Sequence, residues 1–262
     1  MKLLPAFAGM PDLNKVYNTD AFTLLAALPD ASVDAFITDL PYGTTACSWD
    51  EIIPFAPMWA EVRRTLKPRG VFVTTASQPF TSKLVMSNVG MFRYEWVWNK
   101  VKASGFLDAK RKPLKQHESI CIFASEAPCY YPQMITGKPH HRGPHNVNST
   151  VYGAYKPREV YISDEYYPKS ILAYSIADTT EQAHPTQKPV ALYEYLIRTY
   201  TQPGDLVCDF CCGSGTTALA ARNLNRNYIV GDITPQYVEV ARKRLAEAYT
   251  PLMPIFLEQE SA

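Results

Sequence analysis

The sequence predicts an α/β fold built on a mostly parallel sheet, and three observations indicate it. Short apolar runs of strand length alternate with longer segments of helical periodicity. Turn-forming residues, many of them proline or glycine, separate these segments. The chain has 262 residues, of which 47% are hydrophobic and 19% charged, enough for one such core and a modest insertion. Alternating strands and helices imply parallel pairing through right-handed crossovers.

The first half of the chain supplies four predicted strands and two predicted helices. The first helix begins at a proline and ends before Pro68, Arg69 and Gly70. Aromatic residues are frequent in the third strand, which favours β structure there. The predicted strands are 33–38, 71–75, 92–98 and 120–123, and the predicted helices are 54–67 and 79–88.

Residues 127–183 interrupt this rhythm. They contain eight of the 17 tyrosines, six prolines and three histidines, without a clear period. This composition predicts an inserted recognition region or a long structured loop, and its aromatic content argues against disorder. Regular elements return afterwards, with predicted helices at 190–200, 215–224 and 235–248 and predicted strands at 205–210 and 228–231.

The composition limits the classes of protein that the chain can represent. A formal net charge of +1 excludes a strong global field, so a polyanion would need a local basic patch. The six cysteines lack the spacing of a secreted disulfide framework, and no signal peptide precedes them. No apolar run approaches the roughly 18 residues of a membrane helix. We therefore expect a reduced, soluble, intracellular protein with no membrane partner.

Residues 209–217 form a glycine turn between a predicted strand and a predicted helix. The glycines let the backbone approach a ligand, and the start of the helix offers free N–H groups. Asp232 ends the next predicted strand, 23 residues after Asp209, a spacing typical of an acid that binds a ribose diol. Neither a dinucleotide nor an NTP phosphate motif is present, so a cofactor with a ribose but no pyrophosphate fits better. A plain strand–helix turn with a capping aspartate is the alternative.

Asp39, Leu40, Pro41 and Tyr42 follow the first predicted strand and form a second candidate site. The exocyclic amine of adenine or cytosine is a poor nucleophile because its lone pair is delocalised into the ring. An ionised Asp39 and the carbonyl of Leu40 would accept its two hydrogens and draw the nitrogen toward tetrahedral geometry. Tyr42 offers a face on which a base can stack. The alternative is a strand-ending Asp-x-Pro turn with a structural role.

Together the two motifs resemble those of the amino-directed DNA methyltransferases, which modify adenine N6 or cytosine N4. The amine motif of that family is (Asp/Asn/Ser)-Pro-Pro-(Tyr/Phe/Trp), to which residues 39–42 are similar. Residues 209–217 resemble its cofactor motif, and residues 184–189 resemble a His-Pro-Thr-x-Lys-Pro segment that commonly precedes it. The motif order resembles the beta arrangement of the family. The resemblance implies a Rossmann-like S-adenosylmethionine-dependent methyltransferase fold, circularly permuted, with a mostly parallel seven-stranded sheet.

The resemblance also implies roles for individual residues. Residues 39–42 would form the catalytic amine site, and no metal is implied. Asp232 would hold the ribose of S-adenosylmethionine, Asp20 would meet its adenine end, and Thr186 and Lys188 would approach its methionine carboxylate. The full set expected around this cofactor is Asp20, Asp39, Thr186, Lys188, Asp209, Phe210, Cys211, Gly213, Ser214, Gly215, Thr216 and Asp232.

The chain departs from the family pattern at two places. Leu40 replaces the first proline of the amine motif, and we expect this to be tolerated because the position acts through its carbonyl. Phe210 and Cys211 stand where Pro-Phe is usual. We expect Phe210 to take the place of the phenylalanine that packs on the cofactor, displaced by one position, with an effect on cofactor affinity.

The resemblance divides the chain into three parts. Residues 1–126 would be the half of the methyltransferase domain with the amine motif, 127–183 a target-recognition insertion, and 184–262 the cofactor-binding half. Double-stranded DNA would be the partner, and the target base would have to be flipped out of the duplex. A homodimer and a partner nuclease are left open. The expected location is the cytoplasm of a bacterial or phage-infected cell.

A basic segment at residues 99–117 is the candidate DNA-gripping element. It carries six basic side chains and one acidic one, which predicts a loop that binds phosphates without selecting a sequence. A solvated loop is the alternative. The tyrosine-rich insertion would select the sequence. The candidate DNA contacts are Lys110, Arg111, Lys112 and Lys115 in the first segment and Arg142, Asn146, Lys156 and Arg158 in the second.

Other functions are compatible with parts of the sequence. Asp39 favours adenine N6, because enzymes that modify cytosine N4 more often carry Ser there. A protein-glutamine or RNA substrate is a second hypothesis, and a DNA-binding module whose catalysis has decayed is a third. The Cys208–Cys211 spacing lacks the second pair of a metal site. Cys129 lacks the glycine-rich lead-in of enzymes that methylate cytosine C5 through a thiol.

Overall fold

A mixed eight-stranded sheet lies at the centre of the protein. The computed structural model describes residues 7, 9–45, 47, 50–142, 148–149, 153–154, 161–175 and 187–247. Within them the helices are α1 (Ala21–Ala27), α2 (Phe55–Thr65), α3 (Phe80–Ser87), α4 (Val190–Tyr200), α5 (Thr216–Asn223) and α6 (Pro235–Glu247). The strands are β1 (Lys15–Asn18), β2 (Val33–Thr38), β3 (Leu66–Ala76), β4 (Phe92–Ser104), β5 (Lys115–Phe123), β6 (Ile135–Arg142), β7 (Asn148–Ser149), β8 (Gly153–Ala154), β9 (Tyr161–Tyr166), β10 (Ile171–Ala173), β11 (Leu206–Asp209) and β12 (Asn227–Asp232).

The central sheet has the strand order β1-β12-β11-β2-β3-β5-β4-β10. β5 runs antiparallel to both of its neighbours, and every other neighbouring pair is parallel. The mostly parallel α/β sheet is therefore confirmed, but the expected parallel pairing is wrong for β5. Residues 105–114, all of them described, contain no α-helix, and so short a connection joins strands in antiparallel fashion.

Helices cover both faces of the sheet and form two cores. Helices α1–α3 pack on one face around Phe36, Phe72 and Phe123, and helices α4–α6 pack on the other around Ala35 and Ile37. Neighbouring residues of β2 thus point to opposite cores, because side chains alternate along a strand. Both faces are buried, which explains why the predicted strands are continuous apolar runs.

The register of the sheet brings four aspartates to one edge. Ala35 and Phe36 of β2 lie opposite Val207 and Cys208 of β11, so Asp39 and Asp209 follow at the same end of adjacent strands. β12 pairs with β11 and β1, and its last residue, Asp232, lies opposite Asn18. Asp20, the N-cap of α1, lies two residues after Asn18 in the chain. The carboxyl ends of four adjacent strands therefore present Asp20, Asp232, Asp209 and Asp39 in spatial order.

Most predicted elements of the sheet and its helices form within a few residues of their expected bounds. β1 and α1 were not predicted, although Asp20 is an N-cap before an apolar segment and accepts hydrogen bonds from the backbone N–H of Phe22 and Thr23. Within 127–183, β6 and β9 pair antiparallel, as do β7 and β8. β10 joins the central sheet beside β4 as its eighth strand. In the described ranges, no helix is long and apolar enough to cross a membrane.

Candidate active site

A single cavity of about 810 Å³ opens at the edge where the four aspartates lie. The amine motif and the glycine turn both border it, although 167 residues separate Tyr42 from Asp209 in the chain. Of the predicted cofactor set, the residues that border the cavity are Asp20, Asp39, Lys188, Asp209, Phe210, Cys211, Gly213, Ser214, Thr216 and Asp232. Thr186 lies outside the described residues. The two predicted sites are therefore two ends of one site.

Three donors hold the carboxylate of Asp39. Oδ1 accepts hydrogen bonds from the hydroxyls of Tyr42, at 3.0 Å, and Thr75, and Oδ2 accepts one from the ammonium group of Lys188. An ionised carboxylate has about four acceptor positions. The remaining position is on Oδ2, and the carboxylate keeps about a quarter of its surface exposed. Asp39 is thus fixed in orientation and retains one acceptor for a ligand N–H.

Lys188 borders the cavity and makes a contact that the resemblance did not imply. It was expected near the methionine carboxylate of a cofactor, which stays a prediction, and its ammonium group forms an ion pair with Asp39. The side chain is only 10% exposed. Burial disfavours its charge, yet the carboxylates of Asp39 and Glu118 outweigh this effect and raise the pKa of Lys188. Lys188 therefore stays cationic and supplies the counter-charge to Asp39.

Tyr42 is fixed by packing as well as by its hydrogen bond to Asp39. Its ring stacks on Phe80 of α3, with centroids 5.1 Å apart and planes inclined by 26°. Burial and the nearby charge of Asp39 hold the pKa of the Tyr42 hydroxyl well above its usual value. The hydroxyl consequently remains a donor to Asp39. Leu40 is the second residue after β2, and its side chain is buried in the core of α1–α3.

The carboxylate of Asp209 makes its hydrogen bonds within the glycine turn and the helix that follows it. Its carboxylate accepts hydrogen bonds from the Thr217 hydroxyl at 2.5 Å and from the backbone N–H of Cys211 at 3.0 Å. Burial, partly offset by these donors, raises the pKa of Asp209 to about 7. The group is 2% exposed. Its main role is therefore to hold the shape of the turn.

Asp232 has the geometry expected of a ribose-binding acid. One oxygen accepts the backbone N–H of Gly213 at 2.9 Å, and the other accepts that of Thr234 at 2.8 Å. Each oxygen keeps a free acceptor position at the cavity. The arrangement suits the two hydroxyls of a ribose, and the acidic edge suits a cofactor that carries positive charge.

Two residues of the predicted cofactor set contribute to packing. The ring of Phe210 is in the core with Phe36 and Phe72, at centroid distances of 5.9 and 6.3 Å. At 2% exposure the ring presents little surface to the cavity that Phe210 borders, and its packing on a cofactor stays a prediction. Gly215 has φ +79°, and a Cβ there would lie 2.7 Å from that of Ala241. Gly215 is required for the close approach of α5 to α6.

Sequence reasoning missed one wall of the cavity, which β4 and β5 form. Trp98 and Glu118 are partners in the register of these strands. Glu118 forms a buried ion pair with Lys100, whose ammonium lies 5.2 Å from the centroid of the Trp98 ring. Within the described residues, Oε2 of Glu118 has no hydrogen-bond partner. This wall lies next to Asp39 and Lys188 and is suited to hold a flat polar ring.

The basic segment divides between the cavity and the surface. Lys115, expected to grip phosphate, borders the cavity and donates to the hydroxyl of Ser77. Burial lowers the pKa of Lys115, an effect that Glu118 opposes. Lys110, Arg111 and Lys112 are exposed. Arg142 is the last residue of β6. Lys156, Arg158 and Asn146 lie outside the described residues.

No metal centre is found in the part of the chain that the structure describes. No group of three histidine, cysteine or acidic side chains there could hold an ion. Cys211 borders the cavity, and burial together with the charges of Asp209, Asp232 and Asp39 raises the pKa of its thiol well above the usual value. The thiol is therefore neutral and unsuited to act as a nucleophile.

The cavity lies at the carboxyl ends of parallel strands, with the amine motif at one end and Asp232 at the other, which is the usual place of a ligand site in the α/β class. A family model described as DNA methylase matches residues 33–243. This match covers most of the chain, so the protein belongs to the DNA methylase family. The predicted membership among the amino-directed DNA methyltransferases is confirmed.

Curated relatives support the same family. Type II methyltransferase M.BglII of Bacillus subtilis is 29% identical over 268 residues, which cover 93% of this chain and 72% of that protein. DNA adenine methyltransferase YhdJ of Escherichia coli (strain K12) is 26% identical over 258 residues, which cover 88% of this chain and 82% of that protein.

Solved structures share the fold. The M1.HpyAVI–SAM complex matches with a TM-score of 0.60 and 26% identity over 88% of this chain and 98% of that chain. PvuII DNA methyltransferase (cytosine-N4-specific) matches with a TM-score of 0.68 and 19% identity over 97% of this chain and 90% of that chain. The second likeness concerns the fold alone.

Proposed function

We propose that this protein transfers a methyl group from S-adenosylmethionine to the N6 amine of adenine in double-stranded DNA. The observation that carries the proposal is the hydrogen bonding of the Asp39 carboxylate. Three donors orient it, and one acceptor position is left at the cavity. The glycine turn and Asp232 border the same cavity and offer a ribose site. S-adenosylmethionine, when bound, supplies an activated methyl group on a sulfonium.

The residues around Asp39 prepare the amine for attack. Oδ2 of Asp39 and the carbonyl of Leu40 accept its two hydrogens, which localises the nitrogen lone pair and directs it away from the ring. Lys188 and Tyr42 keep the Asp39 carboxylate in place, so little reorganisation is needed during the reaction. The nitrogen would gain a bond to the methyl carbon as the carbon–sulfur bond breaks, its electron pair would leave on sulfur as a neutral thioether, and the proton that the nitrogen then loses would have Oδ2 as its nearest acceptor. No covalent intermediate with the protein is required.

The wall formed by β4 and β5 would hold the ring of the base. Trp98, Lys100 and Glu118 border the cavity beside Asp39, and Lys115 and Ser77 add donors there. In both adenine and cytosine, the ring nitrogen beside the exocyclic amine accepts a hydrogen bond. A donor on this wall could therefore bind either base. A base inside duplex DNA cannot reach this depth, so the target nucleotide must be flipped.

Adenine is preferred over cytosine on the strength of Asp39 and of the relative YhdJ, which is named as an adenine methyltransferase. Cytosine N4 is the second candidate, because PvuII methyltransferase shares the fold and acts on that amine. We expect DNA incubated with the protein and S-adenosylmethionine to yield N6-methyladenine on nucleoside mass spectrometry. N4-methylcytosine as the sole product would contradict the choice of base. Tight DNA binding without cofactor binding on calorimetry would contradict methyl transfer altogether.

The division of the chain into two catalytic parts, 1–126 and 184–262, and a recognition insertion, 127–183, is part of this proposal. The exposed side chains of Tyr161, Ile162 and Tyr167 give the insertion a surface that can meet DNA. The amine motif lies in the first part and the glycine turn in the last. Single-molecule sequencing of DNA from cells that express the chain would report the modified base and its sequence context together.

Exposed basic residues between β4 and β5 should contribute affinity but no sequence choice. We expect replacement of Lys110, Arg111 and Lys112 by alanine to weaken binding to all duplexes alike. The slope of log affinity against log salt concentration should fall by about one for each phosphate that the variant no longer neutralises. Lys243→Ala is the control, since this side chain is 73% exposed on α6. An unchanged salt slope would show that these three residues do not contact DNA phosphates and belong to a solvated loop.

A further inference from the structure

The connection between β4 and β5, here called the hairpin tip (residues 105–114), presents two apolar side chains to solvent. Phe106 is 78% exposed and Leu107 is 88% exposed, the highest values for large apolar side chains in the described part of the chain. They occupy a 3₁₀ turn that Gly105 begins in the left-handed region, with φ +88°. Large apolar groups held so far into water indicate a site of interaction.

The hairpin tip holds its own shape. The backbone carbonyl of Gly105 accepts the N–H of Asp108 at 3.1 Å, and that of Asp108 accepts the N–H of Arg111 at 2.8 Å. The Asp108 carboxylate pairs with Lys112 at 3.0 Å. Phe106 and Leu107 are therefore displayed on an ordered turn, which lowers the entropy cost when they bind.

The position and the charge of the hairpin tip indicate its partner. Ser104 and Lys115, the paired residues at its base, both border the active-site cavity. The exposed side chains of Lys110, Arg111 and Lys112 follow the apolar pair in the same connection and give it local positive charge. Basic residues beside an exposed apolar pair, next to a cavity, fit a polyanion that also offers an apolar surface. Double-stranded DNA meets both conditions where two stacked base pairs have been separated, because the faces of the bases are then exposed.

We propose that Phe106 and Leu107 enter the duplex at the position vacated by the flipped base. This inference rests on the proposed function and adds to it the element that keeps the duplex open. Extrusion leaves a gap in the base stack, and an apolar wedge fills it in place of the missing base. The neighbouring basic residues hold the phosphates on either side while the base lies in the cavity.

The test compares two duplexes that contain the methylated sequence. In one the target base is paired normally, and in the other it faces an abasic site, so that extrusion no longer breaks a base pair. We expect the Phe106→Ala, Leu107→Ala double variant to methylate the paired duplex about a hundredfold more slowly than wild type in single turnover. On the abasic duplex its rate should come within about threefold of wild type. Fluorescence of 2-aminopurine at the target position should show reduced extrusion in the double variant.

Met86→Ala is the matched control, because this side chain on α3 is 73% exposed and does not border the cavity. Equal rates for the double variant and wild type on the paired duplex would overturn the inference. An equal reduction on both duplexes would also overturn it, since it would indicate affinity or folding rather than extrusion. Sedimentation that shows a dimer for wild type and a monomer for the double variant, with unchanged methylation, would assign the pair to a second copy of the chain. A wild-type chain that methylates neither duplex would refute the proposed function itself.

Discussion

Replacement of Asp39 by alanine is expected to lower the rate of DNA methylation by about a thousandfold. The Asp39 carboxylate accepts from Tyr42, Thr75 and Lys188 and has one acceptor position left for the amine. The variant removes that position. Without it the amine keeps its lone pair in the ring and is not aligned for attack. Asp39→Asn keeps the shape but presents a weaker acceptor, so its rate should lie between the two. Methyl incorporation in single turnover at saturating cofactor measures the effect.

The controls separate chemistry from folding. Asp30→Ala removes a carboxylate that is 78% exposed and pairs with Arg64 at the surface, and it should methylate like wild type. Calorimetry should show that Asp39→Ala binds S-adenosylmethionine within about tenfold of wild type, because the ribose site at Asp232 is intact. An Asp39→Ala protein that labels DNA at the parental rate would remove the basis of the proposed mechanism.

Strand ends were the part of the site that sequence could reveal. Asp39 and Asp209 each follow an apolar run, and in a parallel sheet the carboxyl ends of strands meet at one edge. The structure brings them to one cavity for that reason. The burial of the Phe210 ring was not predicted. Phe210 directly follows β11 and, like Cys208 two residues before it, joins the core of α1–α3.

Contacts between distant segments were beyond the reach of sequence patterns. Glu118 and Lys100 are 18 residues apart in a segment that looks like a charged loop, and only the antiparallel turn-back of β5 buries them together. Lys188 meets Asp39 across 149 residues. A family resemblance placed Lys188 on the cofactor, since a motif specifies a residue type but not which of two nearby anions the residue will bind. β4 and β5 are longer than the predicted strands 92–98 and 120–123. Their polar ends are extended because the two strands pair with each other in a hairpin, which the strand propensity of these residues does not predict.

Replacement of Lys188 by methionine tests which partner Lys188 serves. If Lys188 holds Asp39, the variant leaves a partly buried carboxylate without its counter-charge and without the donor that orients Oδ2. Loss of the held geometry should reduce kcat at neutral pH by about a hundredfold and leave KM for S-adenosylmethionine within about threefold of wild type. Initial rates over a range of cofactor concentrations report both quantities.

Lys188→Arg distinguishes a positioning role from a cofactor contact. Arginine preserves the positive charge beside Asp39 and can donate to Oδ2, so Lys188→Arg should recover part of the kcat that Lys188→Met loses. If Lys188 instead binds the methionine carboxylate, Lys188→Met should raise KM for S-adenosylmethionine and leave kcat unchanged. The burial of Lys188 and its ion pair with Asp39 favour the positioning role. The charge of Lys188 is already balanced by the Asp39 carboxylate, so a second carboxylate would gain little from it.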